Sequence, residues 1–339
     1  MIDQNAAQAR LDALAKPRGS LGHLETIAAR LAESQGSLAP VTKPRRIVLF
    51  AADHGCVASG VTPWPSAVTQ MMIGTIAAGK AASSVLAADT GTELRLVDAG
   101  SLGATLAPAP SFYRYAPVRA GTGNLAREPA MTVAEFDAAW ALGADEAALA
   151  VRDGMKVVAA GEMGIGNTTP SACLAMLLAD VSLDHAVGPG AGSDAAGMIR
   201  KRDVVAAAVL RARPRLAENA KAAIAEIAGL EIVAMAGFYA AAAEAGLTVV
   251  LDGYVSGAAA LIAARLAPAS KVRMIAGHCS QEPGHRHVLA QLGLDPVFDW
   301  QMRLGEGTGA LLAMPMLDAA AAILTRMATL EELGVGRKD

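Results

Sequence analysis

The sequence has little of several features that define common protein classes. Cysteine is rare, with three residues that are too few for a disulfide framework and too scattered for a zinc ribbon: Cys56, Cys173 and Cys279. Aromatic residues make up 4% of the chain and charged residues 18%, while 53% are hydrophobic. This composition excludes intrinsic disorder and predicts a core of aliphatic side chains. The net charge of −3 provides no general attraction to nucleic acid or to an anionic membrane.

Long apolar runs are missing as well. The longest apolar stretch in the Ala- and Leu-rich middle of the chain lies between Glu231 and Glu244, which suits a core helix and is too short for a membrane span. The first residues show no basic start followed by an apolar stretch, so no secretory signal is visible. We therefore expect a cytoplasmic protein with no membrane span and no nucleic-acid partner.

Short apolar runs predict the strands of a parallel sheet, because they are continuous and do not alternate with polar residues. The five runs are residues 46–50, 94–97, 156–159, 248–251 and 272–275. Ala-rich segments of helical length flank most of them, and such alternation is typical of an α/β fold. The long segment 195–246 predicts two or three helices, with breaks near Pro214 and Gly229.

The two chain ends differ from the middle, because both are helical in composition and neither supplies a convincing strand. The turn KPRGS interrupts residues 4–34, and Pro315 lies near the start of residues 309–333. We therefore predict an α/β fold with a parallel Rossmann-like sheet flanked by helices. The large α/β domain spans residues 41–308, and residues 1–40 and 309–339 together form a small helical domain.

Polar residues beside glycine follow each predicted strand. They are Asp53, His54, Asp98, Glu162, Asp252 and His278. Asp and Gly are also ordinary turn residues, so one such pair decides little. Because ligands of open parallel sheets bind beyond the carboxyl ends of the strands, the repetition favours one shared site.

Two glycine-rich segments are candidates for the chemistry. In GEMGIGNTTPSA (residues 161–172), Pro170 lies where a helix would begin. A helix N-terminus preceded by glycines suits an anion, and a structural turn is the alternative interpretation. The segment matches neither the P-loop nor the dinucleotide fingerprint. In RLGEGTGA (residues 303–310), Glu306 lies between two glycines, and it is either a general base with a raised pKa or a helix cap.

Two further segments have weaker patterns. GVTPWPSAVTQMM (residues 60–72) holds two prolines, which suits the wall of an apolar ligand pocket better than a core, although both remain open. The cluster in GHCSQEPGHRH (residues 277–287) has no standard zinc spacing. No metalloprotease motif and no nucleophile elbow occur, so hydrolysis by a Ser-His-Asp triad has no anchor in the sequence. We expect no metal, because the His and Cys residues lack ligand spacing, and we expect no cofactor.

Six motifs, in order along the chain, resemble one known family. They are KPRGSLGHLE, ADHG with the following VTQMM, GEMGIGNTT, LDGYVSGAAAL, GHCSQEPGH and MRLGEGTGALLA. The sequence is similar to nicotinate-nucleotide–dimethylbenzimidazole phosphoribosyltransferases of cobalamin lower-ligand synthesis. The resemblance implies transfer of a 5-phosphoribosyl group from nicotinate mononucleotide to 5,6-dimethylbenzimidazole, which gives α-ribazole 5′-phosphate and nicotinate. It also implies a homodimer, with a large α/β domain and a small helical domain.

The resemblance assigns roles to individual residues. Glu306 matches the family's general base, and Glu162 its second functional glutamate. The residues implied to hold phosphate or ribose are Gly164, Gly166, Asn167, Thr168 and Lys201. Those implied to border the base pocket are Ser280, Arg303 and Leu304, with Gln70 and Met71 closing it. A solvated helix charge is the alternative interpretation of Lys201.

Departures from the family pattern leave the acceptor open. The chain has VGPGAG (residues 187–192) where the family commonly has a VGRGTG-like run. Two alternative functions remain: the same transfer to a different aromatic acceptor, or binding of a nucleotide or base without catalysis. A phosphoribosyl pyrophosphate donor is disfavoured, because Asp89-Thr90-Gly91-Thr92 precedes a strand and lacks the usual acidic pair.

Overall fold

The computed structural model describes residues 4–334, and its centre is a seven-stranded parallel sheet. The strands are β1 (Arg45–Ala52), β2 (Glu93–Gly100), β3 (Tyr113–Tyr115), β4 (Val157–Met163), β5 (Thr248–Leu251), β6 (Met274–His278) and β7 (Pro296–Phe298). The helices are α1 (Gln4–Ala13), α2 (His23–Gln35), α3 (Ala67–Ala77), α4 (Ala82–Asp89), α5 (Val133–Arg152), α6 (Thr168–Leu178), α7 (Leu183–Ala186), α8 (Ala195–Ala212), α9 (Ala220–Ala225), α10 (Leu230–Glu244), α11 (Tyr254–Leu266), α12 (His285–Leu292) and α13 (Thr308–Arg326).

The strand order places a crevice at the middle of the sheet. The order is β3-β2-β1-β4-β5-β6-β7, and every neighbouring pair is parallel. The chain runs outward from β1 to β3, returns to β4 on the other side of β1, and then runs outward to β7. In such sheets the carboxyl ends of the two central strands diverge into a ligand-binding crevice.

The predicted fold class is confirmed, and all five predicted strands are present. Strand β4 extends past the predicted run to Met163, so Glu162 belongs to the strand, and β6 begins two residues later than expected. The segment 195–246 forms three helices, α8, α9 and α10, and Gly229 is the N-cap residue of α10. Strands β3 and β7, at the two edges of the sheet, are not among the predicted strands, and each has only three residues.

The core lies on both faces of the sheet, because successive strand side chains point to opposite faces. In β1, Val48 and Phe50 join the apolar cluster formed with helices α5, α6 and α8–α12. Ile47 and Leu49 join the opposite cluster, with apolar side chains of α1–α4 and α13. The sheet is therefore covered on both sides, as the continuous apolar runs predict.

Helices from both chain ends pack together. Helix α2 contacts α1 and α13, and Arg10 Nε donates to the backbone oxygen of Leu324 at 3.3 Å. Helices α2 and α13 also contact strand β6, and their apolar residues share one cluster with the sheet. The division into two domains stays a prediction. Its terminal residues 1–3 and 335–339 lie outside the described part of the chain.

Two helical stretches within residues 4–334 are long and apolar enough to cross a membrane by length and composition alone. The first, Ala67–Asp89, contains α3 and α4 with a break between them. The second is α13, which packs against β4 and β6 with Leu311, Met314 and Leu317 fully buried. Core helices of globular proteins have the same features, so these stretches are weak grounds for a membrane span.

Candidate active site

A cavity of about 280 Å³ lies at the carboxyl ends of β4, β5 and β6. Residues 162–168 line it at and beyond the end of β4, residues 252–256 after β5, and residues 303–306 before α13. Pro189, Gly190 and Ala191 form another part of the wall. The site expected from the strand ends is present in part, because Glu162, Asp252 and His278 line this cavity. Asp53, His54 and Asp98 are buried and make contacts elsewhere, with Leu102, Glu231 and Ser101 respectively.

Glu162 lies inside this cavity near the end of β4 and is 8% exposed. Its Oε2 accepts a short hydrogen bond from Asn167 Nδ2. Burial raises the pKa of Glu162 to about 8, the nearby carboxylates of Asp252 and Glu231 add to the rise, and the hydrogen bond from Asn167 opposes it. With a pKa of about 8, this carboxyl holds a proton at neutral pH.

Glu306 lies in the same cavity on an unusual backbone. Its φ is +56°, and its neighbours Gly305 and Gly307 have φ of +85° and +74°. A left-handed conformation costs a residue with a Cβ about 1–2 kcal/mol, so other contacts must hold it. The pKa of Glu306 is raised by burial, while two hydrogen bonds from Ser83 act against the rise.

Asp252 holds the backbone that carries Glu306. One of its carboxylate oxygens accepts the backbone N–H groups of Gly309 at 2.7 Å and Ala310 at 3.2 Å, and the other accepts that of Gly307 at 3.1 Å. A carboxylate at the start of α13 also complements the positive end of the helix dipole. The sequence identified Asp252 only as a residue that follows a strand; its capping role was missed.

Glycine brings the two glutamates together. A Cβ on Gly161 in β4 would lie 2.4 Å from the backbone nitrogen of Gly307, so only glycine lets that loop approach the strand. A Cβ on Gly305 would lie 2.2 Å from Glu162 Oε1. Glu162 and the backbone beside Glu306 are therefore in direct proximity, although the two residues are far apart in the sequence.

The glycine-rich segment after β4 opens onto a helix as expected. Gly166 has a φ of +92°, and α6 begins at Thr168, two residues before Pro170. Lys201 Nζ donates to Thr168 Oγ1 and to the backbone oxygen of Gly188, both at 2.8 Å. Lys201 is 1% exposed, so its interpretation as a solvated surface charge is wrong. Burial lowers its pKa, and Glu282 opposes that effect.

Most of the residues expected at the base pocket border the cavity, but two do not. Ser280, Arg303 and Leu304 line it. Gln70 Nε2 instead donates to the backbone oxygen of Ala104 at 3.0 Å, and Met71 is 68% exposed. The structure does not bring this pair to the cavity.

The direction in which each residue of α3 points explains why Gln70 and Met71 do not line the cavity. Val68 and Met72, one helical turn apart on α3, share the face that lines the cavity, whereas residues between them point elsewhere. Trp64 also lines the cavity, and its Nε1 donates to the backbone oxygen of Ala191 at 3.0 Å. Residues 60–72 therefore form a pocket wall, one of the two interpretations of this tract.

The histidine cluster at the end of β6 is not arranged as a metal site. Within residues 4–334, no group of three or more His, Cys, Asp or Glu side chains is arranged to hold a metal ion. His285 Nδ1 accepts the backbone N–H of Ser280 at 2.8 Å, and burial lowers the pKa of His285 to about 3. His278 Nε2 lies 3.7 Å from Asp252 Oδ1.

Comparison with known proteins identifies the class. A family model described as phosphoribosyltransferase matches residues 3–335, so the chain belongs to this phosphoribosyltransferase family. Several similar proteins have the more specific name nicotinate-nucleotide–dimethylbenzimidazole phosphoribosyltransferase. The one from Thermus thermophilus is 45% identical over 331 residues, covering 98% of this chain and 97% of the relative. The one from Ralstonia nicotianae is 43% identical, covering 98% and 93%.

A solved structure agrees. The crystal structure of CobT from Thermus thermophilus superposes with a TM-score of 0.93 at 43% identity and covers 98% of this chain and 99% of that chain. The resemblance noted from the sequence motifs is thereby confirmed.

Proposed function

We propose that this chain transfers the 5-phosphoribosyl group from nicotinate mononucleotide to 5,6-dimethylbenzimidazole in the assembly of the cobalamin nucleotide loop. The products are α-ribazole 5′-phosphate and nicotinate, with inversion at the anomeric carbon. The observation that carries the proposal is the presence of Glu162 and Glu306, both buried, in one cavity at the carboxyl ends of the strands. The names of the relatives support the choice of substrates.

Glu306 is the proposed general base. A ring nitrogen of the benzimidazole forms the new bond to the anomeric carbon, and the proton of its ring N–H passes to the Glu306 carboxylate. The bond from that carbon to the nicotinate nitrogen breaks, and its electron pair neutralises the pyridinium. Because the leaving group gains an electron pair and loses its charge, it needs little acid assistance. A raised pKa brings Glu306 closer to the range useful for a base at neutral pH.

Glu162 is proposed to stabilise positive charge on the ribose in the transition state. This role requires the ionised form, whereas burial and the neighbouring carboxylates favour the neutral acid. The cationic pyridinium of nicotinate mononucleotide favours the ionised form, because an opposite charge nearby lowers the pKa of a carboxyl. We therefore propose that donor binding itself charges Glu162, with Asn167 holding the carboxylate by its hydrogen bond.

The phosphate is proposed to bind between the start of α6 and Lys201. Gly164, Gly166, Asn167 and Thr168 line the cavity there. The free backbone N–H groups and positive dipole end of a helix suit an anion, and Thr168 connects them to the Lys201 ammonium.

The acceptor is proposed to bind among apolar and polar wall residues. Ser280, Arg303 and Leu304 line the cavity, and Val68, Met72 and Trp64 line it as well. A flat apolar wall suits a dimethyl-substituted aromatic ring. Another aromatic acceptor in the same place is the alternative, and residues 187–192 border the same cavity through Pro189 and Gly190.

A non-catalytic binding protein on this fold is the competing hypothesis, but a binder has no need of two buried carboxyls in one cavity. The test is incubation with nicotinate mononucleotide and a panel of aromatic bases, with the products identified by mass. Transfer to 5,6-dimethylbenzimidazole in preference to the other bases supports the proposal. Binding of both ligands without nicotinate release would favour the binder. We further propose a homodimer, which the resemblance implies. We also propose a cytoplasmic location, which the composition favours, and a reaction without a cofactor.

A further inference from the structure

Ser83 is a buried polar residue in direct contact with Glu306. It lies in the first turn of α4 and is fully buried, and it is not part of the cavity lining. Its Oγ donates to Glu306 Oε2 at 3.1 Å, and its backbone N–H points to the same oxygen at 3.5 Å. A buried hydroxyl without a partner would be costly, and here its partner is the carboxylate.

The neighbouring serine shows that this contact is specific. Ser84 Oγ donates to the backbone oxygen of Ile76 at 2.9 Å, which is a contact between α3 and α4 away from the cavity. Two adjacent serines at the start of one helix therefore have different partners, and only Ser83 reaches the glutamate. Ser84 serves as a matched control.

We propose that Ser83 is a positioning residue for Glu306: it engages Oε2 and leaves Oε1 as the oxygen that accepts the substrate proton. This inference rests on the proposed role of Glu306 as the general base. By donating to the carboxylate, Ser83 also favours the ionised form that a base needs.

Other groups around Glu306 act in the opposite direction. Asp252 faces it from the end of β5 and, together with burial, raises its pKa. Glu162 faces the same space from β4, and His278 lies beside Asp252 at the end of β6. Arg303, on the same segment as Glu306, directs its Nη1 to the backbone oxygen of Gly190. Ser83 therefore counters burial and the negative charge of Asp252.

The consequence is a defined change in pH dependence. Without the Ser83 hydroxyl, the pKa of Glu306 rises, so the base becomes protonated at a higher pH. We expect the acid limb of the kcat/KM profile in Ser83→Ala to move by about one pH unit toward higher pH. The reason is that loss of a hydrogen bond to an ionised carboxylate shifts the titration of that group by about one pH unit. Activity on the acid side should fall about tenfold, while activity well above the limb stays near that of the wild type.

The experiment measures kcat/KM against pH for the wild type, Ser83→Ala, Ser83→Thr and Ser84→Ala, with Glu306→Gln used to assign the acid limb. Ser83→Thr keeps a hydroxyl and should restore the wild-type limb, and Ser84→Ala should not move it. An unshifted limb in Ser83→Ala, or the same loss at every pH, would overturn the inference and leave the proposed function intact. If the wild type releases no nicotinate at any pH, the proposed function itself fails.

Discussion

The carboxylate of Asp252 accepts the backbone N–H of Gly309 at 2.7 Å, which joins the end of β5 to the first turn of α13. The same carboxylate accepts the N–H groups of Gly307 and Ala310. Glu306 directly precedes Gly307, the N-cap residue of α13, so its left-handed backbone is anchored by the side chain of the residue that follows β5. A residue outside the proposed proton transfer thus determines where the proposed base lies.

Removal of this anchor should destabilise the protein and the site. In Asp252→Ala, buried N–H groups lose their acceptor at about 1–3 kcal/mol each, so we expect the free energy of unfolding to fall by about 3 kcal/mol or more. Urea unfolding measures this change. Asp203→Ala, at an exposed position of α8, is the control and should change it by less than about 0.5 kcal/mol. Equal stability of the two variants would contradict the anchoring role.

Gly166→Val should weaken nucleotide binding selectively. Gly166 has a φ of +92°, and a Cβ there would lie 2.9 Å from Val57 Cγ2, so valine strains the backbone just before α6 and crowds the Val57 side chain. We expect nicotinate mononucleotide to bind much more weakly and the benzimidazole to bind almost as before. Separate titration of each ligand, after circular dichroism has confirmed folding, measures this.

The control for this substitution is Gly154→Val. Gly154 also has a positive φ, +75°, and a Cβ there would meet open space, so the variant carries the backbone strain without blocking the site. It should bind both ligands normally. If Gly166→Val leaves nucleotide affinity unchanged, Lys201 and residues 187–192 become the better phosphate site.

Stability should depend on pH through Glu162. Its pKa is about 8 in the folded protein, against 4.5 for an ordinary glutamate, so between these values the folded state holds a proton that the unfolded state has released. The free energy of unfolding contributed by this group therefore falls as the pH rises through that window. Urea unfolding at about pH 5 and about pH 8 should show a smaller fall in Glu162→Gln than in the wild type. A fall of the same size in both proteins would show that Glu162 is not the group responsible.

Activity should not depend on a metal ion. The reaction proposed here moves a proton between a ring nitrogen and Glu306 and uses a donor without pyrophosphate. Dialysis against a strong chelator should leave kcat/KM unchanged, measured against a mock-dialysed sample. Activity that disappears and returns with one specific divalent ion would contradict this prediction.

The sequence predicts the centre of this fold better than its edges. Buried strands such as β1 are long apolar runs, whereas β3 and β7 have three residues each, and β7 begins with Pro296, so neither shows a pattern. Similarly, Glu162 and Glu306 have glycine-rich surroundings that are visible in the sequence. Their proximity depends on the strand order, which no local pattern encodes.

Some site residues are not recognisable from the sequence, because their roles depend on helix phase or on partners that are distant in the chain. Residues 68–72 form one helical turn, and sequence alone does not decide that Val68 and Met72, and not Gln70 and Met71, face the cavity. Ser83 is another such case. It lies in an Ala- and Ser-rich helix, and only the fold shows that its hydroxyl meets Glu306 and that of Ser84 does not.

The rate of nicotinate release by Glu306→Gln tests the central claim most directly. The wild type, Glu306→Gln and the exposed control Glu244→Gln are incubated with nicotinate mononucleotide and 5,6-dimethylbenzimidazole, and the products are quantified by mass. Glutamine keeps the size and hydrogen bonding of glutamate but cannot accept the proton, so we predict a loss of roughly 10²–10⁴-fold in rate with ligand binding retained. Glu244→Gln should match the wild type. Near-normal turnover by Glu306→Gln would contradict the assignment of Glu306 as the general base.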